Sequence, residues 1–387
     1  MEKLTVKNLG PLKNFTMETN ALTVLIGPQA SGKSLLMQLL YYFRNVKELS
    51  AYYYNDNISD SKWLEAVGSF NIFSLRSAVL GQLVRGDRAI IDYKVNNKIK
   101  YSISVTETSI ILGEKLKKES IEWLKNMKST ADTLVEMMRH KTIFPQDIYI
   151  PAERSIYSLF NVKPMILFDT ILPIQLRHFI NNLETAKRIY GDMYKDISVN
   201  NIGGNNELLR LQWKALDGIV YCTKDNVLSF IRDDHVELLN FISSGQMATW
   251  PFFMLASVYE SNTDERIFYY EEPETHLHPG AQVQVMNAVA YLLSKGHRLI
   301  ISTHSPFILY VINNLMQAHI AYNGDTPEGK FSINPDQVSA YCLGDNPHSI
   351  VNRKTKLLEL QEIDSVFDEL NVDFEKYMDM EFAREQR

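Results

Sequence analysis

The octapeptide Gly27-Pro28-Gln29-Ala30-Ser31-Gly32-Lys33-Ser34 constrains this chain more than any other stretch. It matches G-x-x-x-x-G-K-[ST] at every fixed position. Its flanks give the spacing a structural meaning. Residues 21–26 (Ala-Leu-Thr-Val-Leu-Ile) read as a buried strand, and residues 35–40 (Leu-Leu-Met-Gln-Leu-Leu) as the first turns of a helix. Gly27 and Gly32 allow the loop to turn so that backbone N–H groups surround an anion, with the helix N-terminus adding its positive end. In this arrangement Pro28, Gln29, Ala30 and Ser31 complete the cradle, Lys33 reaches the β- and γ-phosphates, and the Ser34 hydroxyl coordinates Mg²⁺. The expectation is a strand–loop–helix unit that binds a nucleoside triphosphate.

A second constraint lies far downstream, in residues 267–279 (Ile-Phe-Tyr-Tyr-Glu-Glu-Pro-Glu-Thr-His-Leu-His-Pro). Four apolar or aromatic residues read as a buried strand, Glu271 and Glu272 fall where it ends, and Pro273 stops it. Period-two geometry sends adjacent side chains to opposite faces, so one carboxylate can hold a metal while its neighbour meets another group. Taken alone, the pair also fits an acidic turn after a core strand. Two more segments share the order: Phe241-Ile242-Ser243-Ser244-Gly245-Gln246 before it, and residues 296–306, an apolar strand ending in Thr303-His304-Ser305-Pro306, after it.

This succession resembles the ATP-binding-cassette (ABC) superfamily: phosphate loop, signature motif, acidic strand with catalytic glutamate, then switch histidine. The soluble branch is the closer match, the DNA-repair, chromosome-maintenance and overcoming-lysogenization-defect type of ATPase, whose members carry an acidic pair followed by Pro-Glu and later Thr-His-Ser-Pro. The resemblance implies an α/β P-loop fold with a mostly parallel central sheet, an antiparallel β lobe and a short helical insertion. It implies ATP and Mg²⁺ as cofactors. Glu271 would support Mg²⁺, Glu272 would polarise the attacking water, and His304 would sense the γ-phosphate. Ser243, Ser244, Gly245 and Gln246 would face the ATP held by a second copy, so that two protomers sandwich the nucleotide; a plain helix cap remains the other reading of that tetrapeptide. Two departures stand out. Glu271 replaces the usual aspartate, and Gln29-Ala30 replaces an Asn-Gly common in the loop of soluble relatives. One extra methylene moves the carboxylate by about 1.5 Å, which slows hydrolysis unless the site adjusts. Compact ATPases of this kind recur in bacterial anti-phage defence, partnered by a separate nuclease or toxin. A RecF-type repair ATPase binding duplex DNA is the alternative.

Other features bound the possibilities. The 387 residues are 45% hydrophobic and 22% charged, ordinary for a globular protein, with a formal net charge of −6 that indicates no general affinity for nucleic acid. Cys222 and Cys342 belong to no metal or redox spacing, no signal-peptide pattern opens the chain, and no apolar run spans a bilayer; a cytoplasmic protein is expected, with no membrane partner. His276 and His278 lack a third ligand at metal-site spacing. After a strand at residues 148–150 the segment Pro151-Ala152-Glu153-Arg154 offers Glu153 and Arg154 as interface or nucleotide-sensing groups, or as a surface ion pair. The expected sub-regions are 1–112 (phosphate loop and β lobe, with a hairpin about Asn96-Asn97), 113–220 (helical, broken near residues 200–206), 221–345 (signature, acidic strand and switch histidine) and a helical tail from 346, charged and Leu/Ile/Phe-dotted from Lys354, suited to docking a partner.

Overall fold

The computed structural model describes residues 1–51, 59–68, 82–107, 109–129, 147–159, 174–194, 206–222, 228–232, 235–260 and 265–385. The chain opens on an antiparallel pair, β1 (Glu2–Leu9) and β2 (Leu12–Glu18), whose alternating burial marks a sheet wet on one face. Strand β3 (Leu22–Ile26), buried throughout, runs into the phosphate loop and helix α1 (Lys33–Arg44). Short helices α2 (Val46–Ala51) and α3 (Asp60–Gly68) follow, then the hairpin β4 (Ala89–Val95) and β5 (Lys98–Val105), β6 (Ile110–Leu112) and helix α4 (Glu114–Ser129). Asn96 and Asn97 both take positive φ, +51° and +62°, which is why a two-residue turn closes that hairpin.

The second half supplies the rest of the core. It runs through β7 (Ile148–Ile150), a 3₁₀ turn (Ala152–Ser155), α5 (Ile156–Leu159), α6 (Ile174–Met193), α7 (Glu207–Leu216) and the strands β8 (Ile219–Cys222), β9 (Leu228–Arg232) and β10 (His235–Leu238). Next come α8 (Ser244–Tyr259), β11 (Ile267–Glu271), α9 (Pro279–Ser294), β12 (Arg298–Thr303), α10 (Pro306–Ala321), β13 (Val338–Cys342), β14 (His348–Ser349) and α11 (Gln361–Glu385). The proposed break near residues 200–206 falls largely outside the described residues; α6 and α7 flank it. The tail helix begins at Gln361 rather than Lys354. The Asn352 side chain accepts from the amides of Lys354 and Thr355 at 2.8 and 2.9 Å and holds a turn there instead.

Three sheets form. The central one has the order β14-β13-β3-β12-β11-β7, parallel except at β14; the β lobe is the antiparallel sheet β2-β1-β4-β5-β6; β10-β9-β8 is a third. Alternation along the central strands divides the hydrophobic core. Val24, Phe268, Tyr270 and Ile301 meet the helices α6 to α10, whereas Leu25, Tyr149, Ile267, Tyr269 and Ile300 meet α1 and the β lobe. Glu271 therefore continues the Tyr269 side and points towards α1. Register aligns Ile26 with Thr303 and Glu271 with Ser302, which brings three strand ends together at the carboxyl edge of the sheet. Among the described residues no helix is long and apolar enough to cross a membrane.

Candidate nucleotide-binding site

The loop after β3 has the backbone its sequence implies. Gly27, Ala30 and Gly32 take φ of +148°, +59° and +97°. Gly27 has no room for a side chain, since a Cβ there would lie 2.2 Å from the Leu343 carbonyl oxygen at the end of β13. The Lys33 ammonium donates to the carbonyls of Gly27 (2.7 Å) and Pro28 (2.8 Å). Burial lowers its pKa, against the opposing charges of Glu272 and Glu274. Nζ also lies 3.4 Å from His304 Nδ1, and His304 Nε2 lies 3.4 Å from Glu272 Oε1. Lys33, His304 and Glu272, drawn from three strand ends, thus form one continuous polar line.

Glu271 is buried, and its carboxylate is held on both oxygens. Oε1 accepts from the Tyr149 hydroxyl at 2.7 Å and Oε2 from the Ala152 amide at 3.1 Å, while the Ser34 hydroxyl hydrogen-bonds the same carboxylate. Burial raises its pKa and these bonds pull the other way. The glutamate side chain reaches Tyr149 of β7 and Ala152 after it while staying beside Ser34. A hydroxyl and a buried carboxylate side by side, next to a lysine over a glycine-walled loop, fit a magnesium nucleotide. Among the described residues no group of three or more His, Cys, Asp or Glu side chains is placed to hold a metal by itself. His278 is used elsewhere, since its Nδ1 accepts from the Gly280 amide at the start of α9.

Glu272 leaves the strand with φ +45°, a left-handed value that non-glycine residues seldom adopt. Its amide donates to the Ser302 carbonyl at 2.8 Å, and its own carbonyl accepts from the Thr275 hydroxyl (2.9 Å) and Arg154 Nη2 (2.8 Å). Glu274 fixes the histidine loop. One of its oxygens accepts from the Thr303 hydroxyl (2.8 Å) and from the amides of His304 (2.8 Å) and Ser305 (3.1 Å).

Ser243 caps α8 in a reciprocal box with Gln246: its hydroxyl accepts from the Gln246 amide, and Gln246 Oε1 accepts from the Ser243 amide at 2.9 Å. Gln246 is buried and also donates to the Leu216 carbonyl at 2.6 Å, while Ser243 and Ser244 are exposed. Gly245 packs on the loop after β11, where a Cβ would come within 2.5 Å of the His276 carbonyl oxygen. No hydrogen bond among the described residues joins 243–246 to 27–34 of the same chain. Glu153 is exposed as expected, but Arg154 is wholly buried and makes no surface ion pair; its guanidinium is turned inward onto backbone carbonyls. Tyr149 is a support that motif reading passed over, whereas Thr303 and Glu274 lie inside the Thr-His-Ser-Pro and Pro-Glu motifs, which assigned them no role.

The fold has counterparts among known proteins. Residues 22–309 match the family described as "AAA domain, putative AbiEii toxin, Type IV TA system". No curated protein matches the chain. Among solved structures, an SMC head bound to the C-terminal winged-helix domain of ScpA aligns over 91% of this chain and 98% of its own, with 12% identity and a TM-score of 0.50. An SMC head with an extended coiled coil, bound to the C-terminal domain of ScpA from Pyrococcus furiosus, aligns over 96% and 100%, with 12% identity and a TM-score of 0.44. With the family match spanning most of its length, the chain belongs to this AAA-domain family, and its fold is like that of an SMC head.

Proposed function

We propose that this protein binds and hydrolyses ATP with Mg²⁺, in a site completed by a second copy, and that it uses nucleotide state to control a separate effector. The observation that carries the catalytic part is the line Lys33–His304–Glu272 set beside the Ser34–Glu271 pair. Lys33 and the loop amides of 27–34 would hold the phosphates. Ser34 and Glu271 would hold the metal, which supplies charge neutralisation between phosphate oxygens. Glu272 would accept a proton from the attacking water, and His304, fixed by Glu274 through its backbone, would keep that carboxylate aimed. Glu271 in place of aspartate is compatible with turnover, because its carboxylate already sits against Ser34.

Assembly is supported by what lies uncovered. Ser244 opens α8 towards solvent, and Phe241, three residues before it, is 75% exposed. A helix N-terminus beside an uncovered aromatic suits an anion presented by another protomer and an apolar contact around it. The family description names a toxin–antitoxin setting, which favours an effector role in bacterial defence over DNA repair; the acidic net charge points the same way.

The test is phosphate release and nucleotide binding by the purified chain with and without Mg²⁺. Release is expected only with Mg²⁺, and Lys33→Ala is expected to weaken ATP binding at least about tenfold. A chain that neither binds nor turns over ATP would refute the proposal. For the effector part, co-expression with the product of an adjacent gene should yield a stable complex whose toxicity or nuclease activity depends on ATP.

A further inference from the structure

Arg154 is fully buried, yet every acceptor it meets is a neutral carbonyl. Nε donates to Ala248 O, in the second turn of α8. Nη1 donates to Glu271 O at 2.7 Å and Pro151 O at 3.1 Å, and Nη2 to Glu272 O at 2.8 Å. The guanidinium also lies 5.0 Å over the Tyr270 ring, which stacks in turn on Phe252 of α8 at 4.6 Å. One rigid planar group thus bridges the helix that begins at Ser244 to the two carbonyls that flank the Glu272 peptide. Lysine could not reproduce this, because its point charge lacks the fixed fork that reaches several acceptors at once.

Pro251 lies inside that helix and has no N–H to give the Met247 carbonyl one turn back. Arg154 meets the next carbonyl along, that of Ala248, in the same turn. At the other end Glu272 is held at a strained φ by contacts from β12, Thr275 and Arg154 together. A small displacement of α8 would therefore pull on the carbonyl of the residue whose carboxylate faces His304.

We infer that Arg154 is a positioning residue that couples the exposed N-terminus of α8 to the placement of the Glu272 carboxylate, so that occupation of Ser244 by a partner's nucleotide reports directly to the hydrolytic group. This rests on the catalytic reading above for its consequence, though not for the link itself.

Two measurements test it. In nucleotide-free protein, Arg154→Lys should speed amide exchange at Thr275, whose N–H bonds the Glu272 carbonyl at 3.1 Å, by about tenfold or more while β12 changes by less than about twofold. Unchanged exchange at Thr275 would overturn the link whether or not the protein is an ATPase. In turnover, Arg154→Lys should lower kcat about tenfold or more with KM within about threefold, and combining it with Ser244→Arg should cost no more than the worse single variant. Multiplying losses, or an unaltered kcat in a folded Arg154→Lys protein, would refute the coupling. Absence of turnover in the wild-type chain would instead strike the catalytic reading and leave the exchange result to decide the link.

Discussion

Replacing Gly27 by alanine tests the least forgiving contact of the phosphate loop. Two costs add at this position. Its φ of +148° lies in a region that side chains rarely adopt, and the new Cβ would lie 2.2 Å from the Leu343 carbonyl oxygen, a backbone atom in a rigid sheet. The backbone cost is about 1–3 kcal/mol, and forcing β3 and β13 apart adds about 1–3 kcal/mol more. For 387 residues the unfolding entropy is about 0.8 kcal/mol per degree. A total of about 2–6 kcal/mol then lowers Tm by about 3–7 °C. The loss should appear without nucleotide, in a fluorescence or calorimetric melt. Gly329→Ala provides the control: its φ is +72° but nothing lies within 4 Å of the new Cβ, so it should lose only about 1–2 °C. A Gly27→Ala protein as stable as the wild type would refute the packing argument and leave the glycine to be explained by phosphate contact alone.

Three further outcomes follow from the same geometry. Glu274→Ala frees three donors at once and should lower kcat more than about tenfold, whereas Glu274→Gln, which keeps an accepting oxygen, should stay within about threefold; steady-state kinetics decide. Gly245→Ala drives a Cβ against the His276 carbonyl and should cost about 1–3 kcal/mol in a denaturant titration, with 275–278 showing faster amide exchange. His178 is fully buried beside the Tyr41 hydroxyl at 3.0 Å, and burial, then the Arg177 charge, lowers its pKa to about 3. Because the unfolded imidazole takes a proton near pH 6.5, stability from this group is present above that value and is lost as pH falls towards 3. At pH 5 the loss is about 2 kcal/mol, so His178→Gln should flatten the fall in Tm between pH 7 and pH 5 by about 2–3 °C.

The elements that hold the site were readable because their sequences carry local physics. A fully apolar β3 followed by glycines at 27 and 32, and a β11 whose last residue is acidic, specify strand ends without knowledge of the fold. That Glu271 and Glu272 face opposite ways was readable too, from the two-residue alternation; that Tyr269 and Glu271 turn towards α1 is what the structure adds. The supports were not. Tyr149 meets Glu271 across 122 residues and Arg154 reaches Glu271 across 117, and nothing local announces either pairing. Arginine is mostly a surface residue, so composition argues against burying Arg154; only the convergence of β7, β11 and α8 supplies enough carbonyls to hold it. The partners of the Glu271 carboxylate are of the same kind, since they come from β7 and the turn after it.

The most direct test of the account is Glu272→Gln examined for turnover and mass together. The substitution keeps the side-chain shape and removes the proposed proton acceptor. With ATP and Mg²⁺ it should abolish phosphate release while raising the molar mass, by light scattering or sedimentation, from one protomer to two. Wild type with ATP should return to one protomer as nucleotide is consumed. A Glu272→Gln protein that hydrolysed ATP at the parent rate would contradict the assignment of this residue, and one that stayed a single protomer with ATP bound would contradict assembly through the nucleotide.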